Sequence, residues 1–314
     1  MPELPEVETV ARGLQQAIAG RRILSVTMGK TDFIDDPAAI EQQLPGRRIE
    51  RVERYGKFML LRLSEANGTA SCSEGVAKDF GSETRESASA ALLVHLGMTG
   101  NLAPSLAARP HEKHTHVTFL LDDGRELRYT DPRRFGRMAY LERAPLGVEL
   151  ERFGADPLEI TSEEFAEQFR GRRARIKALL LDQSVLRGVG NIYADESLWL
   201  AKIHPAMLGA NLSVQKAEAL RRALQAILRN AIALRGSSIS DFLDAEGQPG
   251  EYQRHHRAYG REGKKCFRCG AMIRRVIVAG RSSYFCPACQ HVPRAKRRTG
   301  RSVKRAVGKI TSKG

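Results

Sequence analysis

No stretch of this 314-residue chain approaches the roughly 20 consecutive apolar residues of a membrane-spanning helix, so no span is expected. The opening MPELPEVETV lacks the cationic start of a secretory leader, so a cytoplasmic location is expected. Cysteine is scarce, five in all, and a reducing compartment argues against structural disulfides. No internal repeat is apparent. Acidic residues are absent from His291 to Gly314, where nine Lys and Arg stand. That segment reads as a disordered basic arm that adds salt-sensitive, sequence-independent affinity.

What the chain has in plenty is positive charge. Its net charge is +15, and without the nine cations of the arm it keeps +6, so the body is itself basic. A polyanionic partner is expected. The length suits about two domains, each able to bury a core.

Between Pro5 and Gly20, the residues Val7, Val10, Leu14, Ala17 and Ile18 follow helical spacing. Short strand-like runs follow at Ile23–Met28, Ile49–Tyr55, Phe58–Leu63, Ala91–Leu96, His116–Leu121, Glu126–Tyr129 and Arg137–Glu142. Their length and punctuation predict an antiparallel sandwich or barrel. Residues 64–90, rich in Ser, Gly, Ala and Glu, read as a disordered loop between two strands, and Cys72 within it has no assigned role. After Glu151 the pattern becomes helical, with a Thr161/Glu164 capping box and a Ser213 cap before Val214–Leu234.

Four of the cysteines are paired in a way that carries chemistry. Cys266-x2-Cys269 and Cys286-x2-Cys289 are separated by sixteen residues. Two such knuckles across a hairpin can set four thiolates around one structural Zn2+. Met272–Val278 and Ser282–Phe285 read as the hairpin strands around Ala279-Gly280. A module this small has no core of its own, so the metal supplies the folding energy.

Pro2 follows Met1, and a small second residue permits Met removal, which would leave a secondary amine. An α-amino group with a pKa of roughly 8 is partly neutral at pH 7 and can attack an electrophilic sugar carbon. Glu3 is placed to donate a proton, with Glu6 and Glu8 as further acids. Residue chemistry alone favours a plain helix start here.

Other clusters are individually weak. His95-Leu96-Gly97-Met98-Thr99-Gly100 and Thr130-Asp131-Pro132-Arg133-Arg134-Phe135-Gly136 form tight turns that expose Met98 and Phe135 beside cations. Such groups either cover the sandwich end or wedge into a base stack. Gly188-Val189-Gly190-Asn191 opens a helix whose free N–H groups could hold a phosphate, or is an ordinary turn. His114 and His116 alternate without a third ligand nearby, which suits phosphate contact or plain surface better than metal. Lys57 reads as a solvated turn residue, and Ser237 and Ser238 as part of a mobile loop.

In order and spacing, PELPEVETV, HLGMTG, YTDPRRFG, GVGNIYADES and the terminal C-x2-C…GRSSYFCPAC resemble the formamidopyrimidine-DNA glycosylases, over nearly the whole chain. The resemblance implies an α+β, two-domain fold. Residues 1–150 would form an antiparallel β-sandwich with a flanking helix, and 151–259 a helix-two-turn-helix bundle. Residues 260–290 would form the zinc ribbon, followed by the basic tail 291–314. It implies a bifunctional glycosylase and AP lyase that removes oxidised purines, 8-oxoguanine and formamidopyrimidines, from double-stranded DNA. Pro2 would be the Schiff-base nucleophile and Glu3 the general acid. Lys57 would serve β-elimination and phosphate contact, and Arg281 the flanking phosphates and δ-elimination. Met98, Arg133 and Phe135 would fill the gap left by the flipped base. Asn191, His114, Arg133 and Arg172 would contact DNA, with Arg173 and Arg175 as neighbours of Arg172 that could substitute. Ser237 and Ser238 would lie in the lesion-recognition loop. A monomer with one structural Zn2+, acting on the bacterial chromosome in the cytoplasm, is implied.

The chain departs from the family in its long 64–90 segment and basic tail. Tyr252 stands where phenylalanine is common, and His255-His256 is unusual. The endonuclease-eight relatives usually start Pro-Glu-Gly-Pro and lack the Met98 and Arg133-x-Phe135 set. The alternative from another class is a non-catalytic zinc-ribbon DNA-binding protein on the same scaffold.

Overall fold

The structure, a computed structural model, describes residues 1–65, 89–239 and 242–291. Cys72, most of the expected 64–90 loop, and the arm after His291 lie outside the described residues.

Helix α1 (Leu4–Ile18) carries Pro5 in its first turn, which its fixed φ suits. The Glu6 carboxylate reaches back and accepts the Glu3 N–H at 2.9 Å, half of a capping box. Among the described residues the first domain has eight strands, β1 (Ile23–Met28), β2 (Ile49–Tyr55), β3 (Phe58–Leu63), β4 (Ala90–His95), β5 (Asn101–Leu106), β6 (Thr115–Leu121), β7 (Arg125–Thr130) and β8 (Arg137–Glu142). They form two antiparallel sheets, β1-β6-β7-β5 and β2-β3-β4-β8. This is a sandwich rather than a barrel. The apolar face of α1 (Val7, Val10, Leu14, Ile18) joins Leu61, Phe119, Leu127 and Tyr129 in its core.

The pattern of the sequence located most of these elements and missed three. Strand β5 was hidden by Pro104, which a central strand would not accept; β5 is an edge, paired only with β7. The short helix α2 (Pro37–Gln43) is capped by Asp36, whose carboxylate accepts the Ala39 N–H at 3.0 Å. Helix α3 (Arg143–Glu151) starts earlier than the expected helical region and carries Pro145 and Gly147, which mask its periodicity. Leu146 of α3 packs on Leu60, Leu93 and Ala139, covering the outer face of the second sheet.

The second domain contains α4 (Ser162–Phe169), α5 (Ile176–Leu181), α6 (Asn191–Leu200) and α7 (Val214–Ala233). Thr161 and Ser213 cap α4 and α7 as the sequence suggested. Every residue of α6 from Ile192 to Trp199 is buried. Leu4 belongs to this helical core, not to the sandwich core, and its N–H donates to the Gly188 carbonyl at 3.0 Å. The start of α1 therefore lies in the seam between the two domains.

The ribbon hairpin pairs β9 (Arg274–Val278) with β10 (Arg281–Phe285). Ala279 and Gly280 adopt φ of 51° and 71°, the left-handed pair that a two-residue hairpin loop requires. Contrary to expectation, the module is not coreless. Cys266, Ile273 and Cys286 bury against Trp199 of α6 and Ala258. A fully buried ion pair docks it further: Lys177 Nζ lies 2.7 Å from Asp195 Oδ1. Lys177 also donates to the Ser282 carbonyl at 2.8 Å, and the Tyr284 N–H donates to Asp195 Oδ2 at 2.9 Å. Removing one partner of such a pair strands a buried charge, at a cost of about 3–5 kcal/mol. The neighbouring Glu196 carboxylate accepts N–H groups from Arg257, Ala258 and Tyr259, fixing the segment that leads into the ribbon.

Candidate active site and DNA-facing surface

The site is built where the chain start meets α6. Pro2 is buried, and Met1 before it is exposed. Glu3 is 3% exposed, and its carboxylate accepts the α6 N–H groups of Ile192 at 3.0 Å and Tyr193 at 3.4 Å. The helix start, open in the sequence between a phosphate cradle and an ordinary turn, turns two of its N–H groups and its dipole on Glu3. The close approach explains the glycines. A Cβ on Gly190 would lie 2.3 Å from Glu3 Cδ, and Gly188, at φ +92°, would press its own into Leu4.

Burial raises the pKa of Glu3, against the opposing pull of the Lys57 charge and the two N–H donors. A carboxyl so placed holds its proton to higher pH, which suits a general acid. Glu6 is also inside, its pKa pushed up to about 7 by burial and then by the Glu3 charge. It accepts hydrogen bonds from the Tyr193 hydroxyl and from the Ser237 N–H at 2.7 Å. Glu8, by contrast, faces away and pairs with Arg12 and Arg54.

Lys57 is not a solvated turn lysine: it is 9% exposed. Burial lowers its pKa most, Glu3 opposes that shift, and the Arg281 charge adds to the lowering. Arg281, exposed at the first position of β10, thus places its charge where Lys57 feels it. His95, at the end of β4, lies in the same field, its pKa lowered to about 4 by burial and then by Lys57. Its Nδ1 accepts the Gly97 N–H at 3.0 Å, which leaves the neutral ring's proton on Nε2.

Asp131, fully buried, clasps the two exposed turns together. It accepts from the Thr99 hydroxyl at 2.6 Å, the Arg133 N–H at 3.2 Å and the Gly136 N–H at 3.0 Å. Gly97 (φ +61°) lets the first turn lie against the backbone of Phe135, where a Cβ would clash at 2.4 Å. Met98 and Phe135 are left 42% and 56% exposed, and the Arg133 guanidinium stacks 4.6 Å from the Phe135 ring centroid. The wedge candidates therefore share one rim. His114 is exposed on the same side, its carbonyl accepting the Asp131 N–H. His116 is not surface: it is 8% exposed, and its Nε2 meets the Asp131 carbonyl at 3.1 Å.

Asn191 opens α6 with its Oδ1 buried and unpartnered, and its amide meets the Tyr259 hydroxyl. Arg172, Arg173 and Arg175 are all exposed, and nothing in their surroundings singles one out. Ser237 is pinned rather than mobile: it is 5% exposed and bonded to Glu6. Ser238 donates to the Phe242 carbonyl at 2.6 Å. A small cavity beside Pro2 is lined by Glu6, Met98, Ile192, Ser237, Ile239 and Phe242. Sequence reasoning overlooked His95, Tyr193, Tyr259 and Asp131; each sits inside a quoted motif or two residues before Arg261, but only the fold gives it a partner.

The four candidate ligand sulfurs lie within 4.8 Å of one another, with Cys269–Cys286 at 3.4 Å and Cys269–Cys289 at 3.5 Å. Tetrahedral thiolates about 2.3 Å from a zinc ion would stand about 3.8 Å apart, so the cluster is the right size for a metal ion. Trp199 Nε1 donates to Cys266 Sγ at 3.4 Å, an outer contact that orients a ligand.

A buried acid–amine cluster at a chain start, a basic rim with apolar wedges and a four-cysteine ribbon define a two-domain DNA-binding enzyme. The models of three protein domains match in chain order. They are the formamidopyrimidine-DNA glycosylase N-terminal domain over residues 1–138, the H2TH domain of the same proteins over 153–243, and the zinc finger found in FPG and IleRS over 263–292. The formamidopyrimidine-DNA glycosylase of Herpetosiphon aurantiacus is 41% identical over 295 residues, covering 92% of this chain and all of that one. That of Solibacter usitatus is 43% identical, covering 92% and 99%. Among solved structures, Lactococcus lactis FPG (MutM) with a Fapy-dG-containing DNA is 32% identical at a TM-score of 0.79, covering 92% of this chain and all of that one. MutM with DNA containing carbocyclic 8-oxo-G has the same identity and TM-score, covering 93% of this chain and all of that one. The chain belongs to the formamidopyrimidine-DNA glycosylase family.

Proposed function

We propose that this protein is a bifunctional base-excision enzyme that removes oxidised purines from duplex DNA and then cleaves the abasic strand. The observation that carries this is the burial of Pro2 and Glu3 against the start of α6, with Lys57 beside them. Once Met1 is removed, the Pro2 nitrogen attacks C1′ of the damaged nucleotide. The base leaves with a proton, the sugar ring opens, and an iminium forms. Glu3, holding its proton by burial, is the donor. Loss of the C2′ proton then expels the 3′ phosphate, and a second elimination expels the 5′ phosphate. Lys57, whose pKa burial lowers, serves the proton transfers, and Arg281 binds the flanking phosphates.

Attack at C1′ is blocked inside a stacked duplex, so the nucleotide must be extruded. Met98, Arg133 and Phe135 stand on one rim to fill the gap. Asn191, His114 and one of Arg172, Arg173 or Arg175 supply phosphate contacts. The four cysteines would hold Zn2+, which, with all four positions thiolate, serves the ribbon's structure and leaves none for a catalytic water. The working form is a cytoplasmic monomer on chromosomal DNA.

Borohydride trapping tests this reading. Incubated with a duplex containing 8-oxoguanine opposite cytosine, the Met1-processed protein should form a covalent adduct at Pro2, and Pro2→Gly should lower trapping sharply. No adduct from folded, zinc-loaded protein would leave the non-catalytic DNA-binding alternative.

A further inference from the structure

His256 stands outside the residues used so far, yet it touches the wall of the Pro2 cavity. Its Nε2 lies 3.1 Å from the Ser237 hydroxyl, and that hydroxyl lies 3.5 Å from the Tyr193 hydroxyl. Tyr193 donates its single hydroxyl proton to Glu6. The Ser237–Tyr193 link must then use the Ser237 proton. Ser237 has no second proton, so the His256 ring must donate through Nε2. The result is a directed series, His256 to Ser237 to Tyr193 to Glu6, in which each bond polarises the next. Glu6 also accepts the backbone N–H groups of Glu3 and Ser237. The His256 ring is itself held edge-on between Tyr252 and Tyr259, both with centroids 5.6 Å away.

We propose that His256 is a positioning residue for base excision: through Ser237 it clamps the segment that walls the cavity opposite Pro2. The segment reaches the cavity through Ser237 and Ile239 and has its outer side in a second pocket lined by Ser238, Arg254 and His256. Without a donor at 256, the Ser237 hydroxyl loses the bond that orients it, and the wall is held less firmly, by the backbone bonds to Glu6 and Gln253. A base entering the cavity meets that wall, whereas an abasic sugar does not. The clamp therefore acts on excision and spares strand cleavage at a preformed abasic site. The proposal rests on the reading of the cavity as the place where the base is excised.

The test uses full-length, zinc-loaded, Met1-processed protein with His256→Leu and His256→Gln. Single-turnover release of 8-oxoguanine should be about five- to tenfold slower in His256→Leu, the scale of one lost buried hydrogen bond. Cleavage of a preformed abasic duplex should stay within about twofold, and glutamine, which keeps an N–H donor, should restore excision to within about twofold. Excision by His256→Leu at the unaltered rate would overturn the proposal. So would a parallel fall in both activities with a lowered melting temperature, or failure of glutamine to rescue. If the unaltered protein released no base while still binding the duplex, the excision reading would fail instead.

Discussion

The two ends of the chain reach one site by different physical means. The N-terminal segment Pro2–Glu6 is held by burial and hydrogen bonds: Glu3 on the start of α6, Glu6 under Tyr193 and Ser237, Leu4 in the helical core. The ribbon gathers four sulfurs that could hold a metal ion, and it is docked by the Trp199 contact and the Lys177–Asp195 pair. Burial shifts the pKa values of the acids and the lysine at the first end, as the proposed proton transfers require. At the second end Arg281 is left exposed at a hairpin corner, where it can meet phosphate. On the proposed mechanism, chemistry is concentrated at one end, and positioning at the other.

That division can be broken experimentally. The largest effect is expected at the chemical end. Glu3→Gln keeps the shape but loses the proton, and single-turnover base release should slow by roughly 100- to 10,000-fold. Lesion-DNA affinity should change far less; an equal loss of binding would make Glu3 a mere anchor. Next is the ribbon. Removing the metal with a chelator should abolish lesion binding while far-UV circular dichroism keeps the sandwich signal. Trp199, the single tryptophan, lies against Cys266, so its emission should change in step with metal loss. Unchanged emission together with unchanged binding would separate the cysteines from the DNA contact.

The smallest effect is on stability. Glu6 titrates at about 7 in the fold against an ordinary value of 4.5, so its folded form favours the proton. Its contribution to stability is complete below about pH 4.5 and is lost as pH rises through about 7. Urea unfolding should therefore show that Glu6→Gln costs less stability at pH 8 than at pH 5. A cost that is the same at both values would mean that Glu6 titrates normally.

Much of this was legible in the sequence. Short strand-like runs punctuated by turn signals marked seven of the eight sandwich strands among the described residues, because turn residues bound each strand locally. Cys266, Cys269, Cys286 and Cys289 announced themselves by spacing, since both knuckles are local. The failures were of two kinds. Pro104 in β5, and Pro145 with Gly147 in α3, break a local pattern that an edge position or a covering helix tolerates. His116, Lys57 and Ser237 were misplaced because their burial depends on partners distant in the chain.

The sequence by itself determined the strand pattern, the cysteine framework, the positive charge and the proline start. Each depends on residues close together in the chain or on composition. Only the tertiary structure decided what the start of α6 holds. Its free N–H groups suited a phosphate or a carboxylate equally well, and folding delivered Glu3 to them across the domain seam. It likewise decided that the Arg281 charge acts on Lys57, because the buried Lys177–Asp195 pair helps fix where the hairpin docks. Electrostatics and burial act through space, so a motif can name the groups while the fold alone sets their protonation and reach.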